Sequence, residues 1–380
     1  MPFHVRLLHF TLKKSLSEIY AFVFIRTFAL SMISVFIPMY LLKEIGLPFS
    51  SVLIYFISVY LFLILGYLLG YFISLKIGVK RVIMCSVPIY IFSYLFLYNL
   101  LSHNISLVLI GATMGIAHGI YWFGYSTNFA TFSDRKHRGE EVKLWYILAA
   151  LVGIIGPLLG GILLDNLGFY IVFVLAILLL IVSAFPLLGL DDRKLVHRLS
   201  FHDIFQKVNL ENAPRYFVEG MRQTSESIFW PVFIFYFIPG YTSLGFVIAG
   251  STLFSSFAIW FIGDKVDVVS RKLFTDFSSI IYGLVSIAKI FVKNFSQIFT
   301  IGILSHVSFG SAEIAAHALA FDESHNKKML GFFMMREMII SLSGIFLLAV
   351  VLLSGLELLE SLKLSFILLG AASLLQKLFQ

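Results

Sequence analysis

The sequence predicts an all-α polytopic membrane protein whose twelve transmembrane helices form two six-helix bundles. Three observations predict this class: the composition, the number of long apolar segments, and the distribution of Lys and Arg between loops. Hydrophobic residues make up 59% of the 380 residues and charged residues 13%, whereas a soluble domain carries about 25% charge. The mean hydropathy is +0.94. The net charge of +7 does not indicate nucleic-acid binding, because the basic residues are spread over short loops and form no patch.

Twelve segments are long enough to cross a bilayer, which takes about 20 apolar residues. They divide evenly around a polar stretch from Leu190 to Arg215. The chain is therefore expected to comprise an N-terminal bundle (1–190), a central loop (191–214) and a C-terminal bundle (215–380). The predicted spans are 18–42, 50–75, 82–101, 105–130, 144–164, 167–190, 215–238, 241–262, 273–292, 295–320, 329–353 and 357–376.

The loop charges predict the orientation of these spans. If the N-terminus is inside, the inner segments hold 21 of the 28 Lys and Arg residues, and the outer loops hold three, Lys43, Lys293 and Lys363. An excess of positive charge marks cytoplasmic loops. Both termini are therefore predicted to be cytoplasmic, in the plasma (cell inner) membrane. Residues 1–16 lack a small-residue cleavage site and are interpreted as a cytoplasmic lead-in and not a removable signal.

The two halves repeat each other at a separation of about 190 residues. Parallel repeats of this kind imply a pseudo-two-fold axis along the membrane normal, with a site between the halves near the midplane. The matching residues are Arg26, Ser31 and Tyr40 with Arg222, Ser227 and Tyr236, and Gly111 and Gly119 with Gly302 and Gly310.

Two short motifs resemble those of a known family. The run GPLLGGILLD from Gly156 to Asp165 is similar to the fifth-helix signature of the major facilitator superfamily, and the run from Gly263 to Lys272 resembles that family's loop after the eighth helix. The corresponding first-half loop is degraded, with Leu75 at the expected aspartate position. The resemblance implies a monomeric secondary transporter whose helices one, four, seven and ten line a central cavity.

These motifs supply the predicted gating residues. Closely spaced glycines let another helix approach and a proline favours a kink, so tight packing and a moving hinge both remain open for the fifth helix. The loop charges are interpreted as a cytoplasmic latch, with a solvated loop face as the alternative. The predicted gating residues are Gly156, Pro157, Gly160, Gly161, Gly263, Asp267, Arg271 and Lys272.

Charged residues inside the spans are the strongest functional signal, because each costs several kcal/mol near the bilayer centre. Lys289 lies near the outer end of its span and is expected to snorkel outward. Arg336 and Glu337 are adjacent, so they are expected to point in different directions and bridge to other helices. The remaining charges lie in the first, seventh and tenth spans: Arg26, Glu219, Arg222, Glu226 and Glu313.

Helical spacing arranges polar residues into stripes. Glu219, Arg222 and Glu226 share one face, where the carboxylates either neutralise the arginine structurally or serve the substrate. The other two stripes are expected to face a wet cavity or one another, although the tyrosines also suit ordinary packing. These stripes are His118, Tyr121, Tyr125 and Asn128 in the fourth span, and His306, Gly310, Glu313 and His317 in the tenth.

The residues favour a secondary transporter of a small solute that works by alternating access and is coupled to protons. Arg26 and Arg222 occupy matching repeat positions and could clamp an organic anion, as in the organophosphate–phosphate antiporters that they resemble. No cofactor, metal site or nucleotide-binding motif is predicted. Multidrug efflux of lipophilic cations is the alternative substrate class, although the arginine usual in the fourth helix of efflux members is absent. A membrane-embedded transferase is less favoured, because its only candidate cluster is the charged loop from Asp134 to Glu141.

Overall fold

The computed structural model describes residues 14–132, 138–188, 213–266, 271–323 and 329–376, and every regular element within these ranges is helical. Each predicted span overlaps one of these helices. In chain order they are α1 (Lys14–Ser31), α2 (Phe49–Ile77), α3 (Val79–Tyr98), α4 (Leu107–Phe132), α5 and α6 (the parts of Arg138–Ala184 before and after Gly168), α7 (Ala213–Thr224, continued by Trp230–Phe237), α8 (Tyr241–Val266), α9 (Arg271–Lys289), α10 (Phe295–Glu323), α11 (Met329–Leu353) and α12 (Leu358–Leu375). Most of the central loop lies outside the described residues, so the division into domains stays a prediction.

The first and seventh helices are both interrupted near a proline. After α1 the chain forms a 3-10 turn (Ser34–Phe36) just before Pro38. In α7 a π turn (Ser225–Phe229) precedes Pro231. A proline has no N–H to complete the helical ladder and crowds the preceding turn, so the irregular turns take up the missing bond. Both repeat helices therefore have a built-in bend in the same region.

Helix pairing repeats between the halves. Within the first half α2 packs on α4, α3 on α4, α1 on α5 and α3 on α6. The second half repeats these pairs as α8 on α10, α9 on α10, α7 on α11 and α9 on α12. The two most extensive contacts between the halves among the described residues, α5 with α8 and α2 with α11, exchange under the same repeat. This arrangement is the pseudo-two-fold architecture that the sequence predicts.

Glycine residues set how closely the helices pack. On α4, a Cβ added at Gly115 or Gly119 would collide with the backbone of α2. Their absence of a side chain lets α2 and α4 touch along their main chains, as small residues do in membrane helices. The outer surface is apolar by contrast, and α2 exposes Leu61, Leu65 and Leu69 along one face.

Eight stretches of the described residues are long and apolar enough to cross a membrane. One of them, Ile147–Leu187, contains both α5 and α6. The described parts of α7, α9 and α10 are not among these eight stretches. The apolar exterior and these spans make the chain a multi-pass membrane protein.

Candidate functional site

Arg26 forms the centre of a polar cluster in the first half. Its side chain is only 4% exposed, and its Nη2 donates a hydrogen bond to the Tyr90 hydroxyl on α3. The Tyr90 hydroxyl is also hydrogen bonded to Nδ1 of His118 on α4, at 2.8 Å. The guanidinium carbon lies 3.3 Å from the ring centroid of Tyr121. The predicted α4 stripe therefore faces Arg26, with two of its members in one connected network.

The other members of the α4 stripe extend this cluster. Tyr125 stacks on Tyr121 with ring centroids 5.9 Å apart. Asn128 is buried and its side chain donates to the Gly124 carbonyl at 3.0 Å, which makes it a local backbone contact of α4.

Arg222, the repeat counterpart of Arg26, is 1% exposed and lies inside the second half. Its Nη1 donates to the Ser279 hydroxyl on α9 at 3.2 Å, and its guanidinium carbon lies 5.9 Å from the centroid of the Tyr282 ring. The two carboxylates of its helical face, Glu219 and Glu226, pair with cations of other helices. Glu219 also interacts electrostatically with Arg222, so whether the two carboxylates neutralise this arginine structurally or serve the substrate stays a prediction.

Glu226 connects three helices through one carboxylate oxygen. Its Oε1 accepts hydrogen bonds from Lys289 Nζ and the Tyr282 hydroxyl on α9, both at 2.5 Å, and from the Ser305 hydroxyl on α10 at 2.7 Å. Lys289 is 0% exposed, so the expectation that it snorkels outward is wrong. The buried carboxylate on α7 holds it inside, because an unpaired ammonium would be far more costly there.

A second ion pair joins α7 to α11. Arg336 is paired with Glu219 through Nη2 and with Glu337 through Nη1 at 2.9 Å. The expectation that Arg336 bridges to another helix is confirmed, but the expectation that adjacent Arg336 and Glu337 point apart is wrong. Glu313, on α10, is close enough to both carboxylates and to Arg222 to interact with them electrostatically.

His306 of α10 is positioned by its own helix. Its Nδ1 lies 3.0 Å from the Gly302 carbonyl, and its ring is near enough to Glu226 for an electrostatic interaction. The side chain of His317 lies outside the described residues. Within the described part of the chain, no three His, Cys, Asp or Glu side chains are grouped to hold a metal ion.

The glycines of α5 lie where the helix meets α1 and α8. A Cβ at Gly156 or Gly160 would collide with Ser31 or Met32, and one at Gly161 would collide with the Tyr241 backbone of α8. The adjacent Pro157 presents its carbonyl oxygen to Gly245 of α8. Pro157 and Gly161 therefore form part of the contact between the two halves, whereas Gly156 and Gly160 pack against the end of α1 in their own half. Whether they move stays a prediction.

Asp165 is an interface residue that sequence reasoning did not assign to the site. Its carboxylate accepts hydrogen bonds from the backbone N–H groups of Tyr241 at 3.2 Å and Thr242 at 2.8 Å, at the start of α8. The Tyr241 hydroxyl donates to Glu44 at 2.7 Å. These bonds join the two halves at the predicted outer end of the interface. Asp165 is the last residue of the α5 signature, but its partner 76 residues away carries no sequence signal.

The predicted cytoplasmic latch is only partly described. Gly263 lies in α8, Asp267 lies outside the described residues, and Arg271 and Lys272 begin α9 with side chains that are not described. The latch stays a prediction.

Apolar helices that bury charged residues between two repeated bundles form the architecture of a multi-pass membrane transporter. The chain belongs to the Major Facilitator Superfamily, whose family model matches residues 19–208, half of its length. The uncharacterized protein YqgE of Bacillus subtilis (strain 168) is 23% identical over 255 residues, which cover 62% of this chain and 58% of that relative.

Solved transporters share the fold at low identity. The POT family transporter PepTSo superposes with a TM-score of 0.76 at 13% identity, covering 97% of both chains. An inward-facing bacterial homologue of the iron transporter ferroportin gives 0.73 at 12%, covering 96% of this chain and 97% of that one. The nucleoside transporter NupG gives 0.71 at 13%, covering 96% and 98%. At 12–13% identity, this likeness shows the fold alone.

Proposed function

We propose that this transporter moves a small organic anion across the plasma membrane by alternating access, together with protons. The observation that carries the proposal is the environment of Arg26 and Arg222. Both guanidinium groups are buried at matching positions of the repeat, and among the described residues neither has a carboxylate within 4.0 Å. Arg336 and Lys289, by contrast, are each neutralised by an acidic partner.

A buried guanidinium with no carboxylate in direct contact is costly, and an anionic solute would lower that cost. Arginine also presents several N–H donors in a planar fork that suits carboxylate and phosphate oxygens. Arg26 and Arg222 bond within their own halves, so a solute that contacted both would join the halves. That is the requirement for a site at the pseudo-two-fold axis.

Proton coupling is supported by the position of His118. The Tyr90 hydroxyl accepts a hydrogen bond from Arg26, so its own proton is available to Nδ1 of His118. Protonation of His118 would place a second positive charge beside Arg26, and repulsion would oppose it. A bound anion would relieve that repulsion, so proton and anion should bind together.

Efflux of a lipophilic cation is the second candidate. It would use Glu226 as the acidic contact, beside the rings of Trp230 and Tyr282. The ion pair between Glu226 and Lys289 disfavours this use, because the cation would have to compete with a fully buried lysine.

The deciding experiment is thermal unfolding of the purified full-length protein against phosphorylated compounds, carboxylates, sugars, amino acids and lipophilic cations, at acid and neutral pH. A ligand present at 100 times its Kd stabilises the folded state by about 2.7 kcal/mol. We expect anions to stabilise the protein, more strongly at acid pH, and the effect to be lost in Arg26→Ala and Arg222→Ala. Arg81→Ala, which removes an exposed arginine of α3, is the matched control.

Hits are then tested for uptake into proteoliposomes with and without a pH gradient. Stabilisation by lipophilic cations that is unchanged in both arginine variants would refute anion transport and favour efflux. Anion uptake that is indifferent to the pH gradient would refute proton coupling alone.

A further inference from the structure

Three donors on α9 and α10 converge on one point. Lys289, Tyr282 and Ser305 all donate to the same oxygen of Glu226, at 2.5, 2.5 and 2.7 Å. One ammonium and two hydroxyl groups aimed at a single oxygen are the set that recognises an oxyanion, because charged donors strengthen each bond. The carboxylate that fills this position comes from a different helix, α7.

Lys289 has contacts besides Glu226 that hold it in place. The Lys289 ammonium lies 4.5 Å from the centroid of the Trp230 ring, 5.4 Å from that of Phe366 and 5.7 Å from that of Tyr282. The faces of aromatic rings attract a cation, most strongly when it is desolvated. Lys289 therefore remains directed at the same point if the carboxylate leaves.

Glu226 is only partly satisfied and is more exposed than Lys289. Its Oε2 is buried and has no hydrogen-bond partner among the described residues, so half of the carboxylate is unsatisfied. The side chain is 12% exposed, whereas that of Lys289 is 0% exposed, so the pair is reached from the Glu226 side. Glu226 also lies in the π turn Ser225–Phe229, and such turns occur frequently at functional sites.

We propose that Lys289, Tyr282 and Ser305 form a binding site for an oxyanion of an anionic solute, and that Glu226 occupies this site as an internal counter-ion when the solute is absent. An incoming carboxylate or phosphate oxygen takes the place of Oε1 and accepts the same three bonds, while Glu226 moves toward its exposed side. The assignment of this oxyanion to the transported solute rests on the proposed function. The site itself does not.

The test removes the Glu226 carboxylate from the site and measures whether small anions bind in its place. Glu226→Ala should lower the unfolding midpoint by at least about 5 °C, because it leaves Lys289 buried without a counter-ion. Formate, acetate or phosphate should then restore at least half of the loss, with saturation. Acetamide, which has the shape of acetate without its charge, and chloride should not. Comparing how far carboxylates and phosphate each restore the unfolding midpoint shows which of these two kinds of oxyanion the site prefers.

Two variants control for a general effect of a vacated cavity. Lys289→Met in the Glu226→Ala background should abolish the response to anions. Glu219→Ala removes another buried carboxylate of α7 but leaves Arg336 paired with Glu337, so acetate should restore little. Glu226→Asp, which keeps the charge and shortens the side chain, provides the same measurement with a smaller shift if Glu226→Ala does not fold.

The proposal is overturned if no anion stabilises Glu226→Ala or Glu226→Asp, or if the response survives Lys289→Met. Anion stabilisation of the wild-type protein that is lost in Arg26→Ala but kept in Lys289→Met would uphold the proposed function and refute this use of the site. Restoration of Glu226→Ala by acetate, with no anion transported by the wild-type protein, would uphold the site and refute the proposed function.

Discussion

A substitution of Asp165 is the clearest way to change the equilibrium between the conformations of the transporter that open to one or the other side of the membrane. Its carboxylate lies at the end of α5 and accepts hydrogen bonds from the first two backbone N–H groups of α8, in the other half. These N–H groups have no partner within their own helix, and the N-terminus of a helix attracts negative charge. Asp165 is thus a helix cap supplied across the interface.

The magnitude follows from these bonds. Replacing a capping side chain with alanine costs about 0.5–2 kcal/mol. Asp165 is exposed, which places the cost in the lower half of that range because water and salt screen the charge. Asp165→Ala should therefore shift the equilibrium toward an outward-open form by about 1 kcal/mol, which is about five-fold in the population ratio.

The assay is a distance distribution between spin labels on the predicted outer face. Ser102, between α3 and α4, and Ser354, after α11, are both exposed and lie in opposite halves. Each is replaced by cysteine after Cys85, the only native cysteine, is changed to serine. We expect Asp165→Ala to raise the ratio of long to short distances about five-fold, and added salt to reduce the difference.

Glu357→Ala provides the matched control, because Glu357 precedes α12 as its N-cap residue but makes no side-chain capping bond. It should leave the distribution unchanged. An unchanged distribution in Asp165→Ala, with both labels mobile, would show that this cap does not hold the outer face closed.

Two further variants test the packing and the ion pairs. Lys289→Met should lower the free energy of unfolding by about 3–5 kcal/mol, because it leaves Glu226 buried and unpaired. The double variant with Glu226→Gln should recover part of that loss, and chemical denaturation measures both. Gly160→Ala should destabilise the protein by about 1–3 kcal/mol, because the added Cβ collides with the Met32 backbone. Gly153→Ala is the control and should cost much less, because its Cβ would meet only a methyl group at 3.3 Å. A thermal unfolding scan compares the two variants.

Much of the fold was predictable because lipid imposes a simple rule. Membrane spans must be long and apolar, and positive charge is in excess in cytoplasmic loops. The predicted segments therefore fall on the observed helices. The repeat of Arg26 and Arg222 could also be recognised in the sequence, because the residues that match between the halves have identical spacing although the surrounding residues differ. The stripe through His118 and Tyr121 followed from helical periodicity alone.

The partners of the charged residues were not predictable. Lys289 lies near the outer end of its own helix, where a lysine ordinarily reaches the interface, and only the tertiary structure brings Glu226 to it. Periodicity put Glu226 on one face with Arg222, but the π turn between Ser225 and Phe229 changes the local register. Spacing describes neighbours along one helix, whereas the ion pairs of Lys289 with Glu226 and of Arg336 with Glu219 each join two different helices.

The difference between contacts within and across the halves has a mechanical consequence. Within the second half, buried ion pairs tie α7 to α9 and α11, and separating such a pair costs several kcal/mol. Across the described part of the interface the contacts are glycine packing, aromatic contacts such as that of Phe36 with Tyr241, and hydrogen bonds. These bonds join Tyr60 to Thr224 at 3.0 Å, Tyr241 to Glu44 at 2.7 Å and Thr242 to Gly161 at 3.3 Å, beside the cap formed by Asp165. Each hydrogen bond there contributes about 1 kcal/mol. The halves can therefore separate at either face while their buried charges stay paired, which is the order of strengths that alternating access requires.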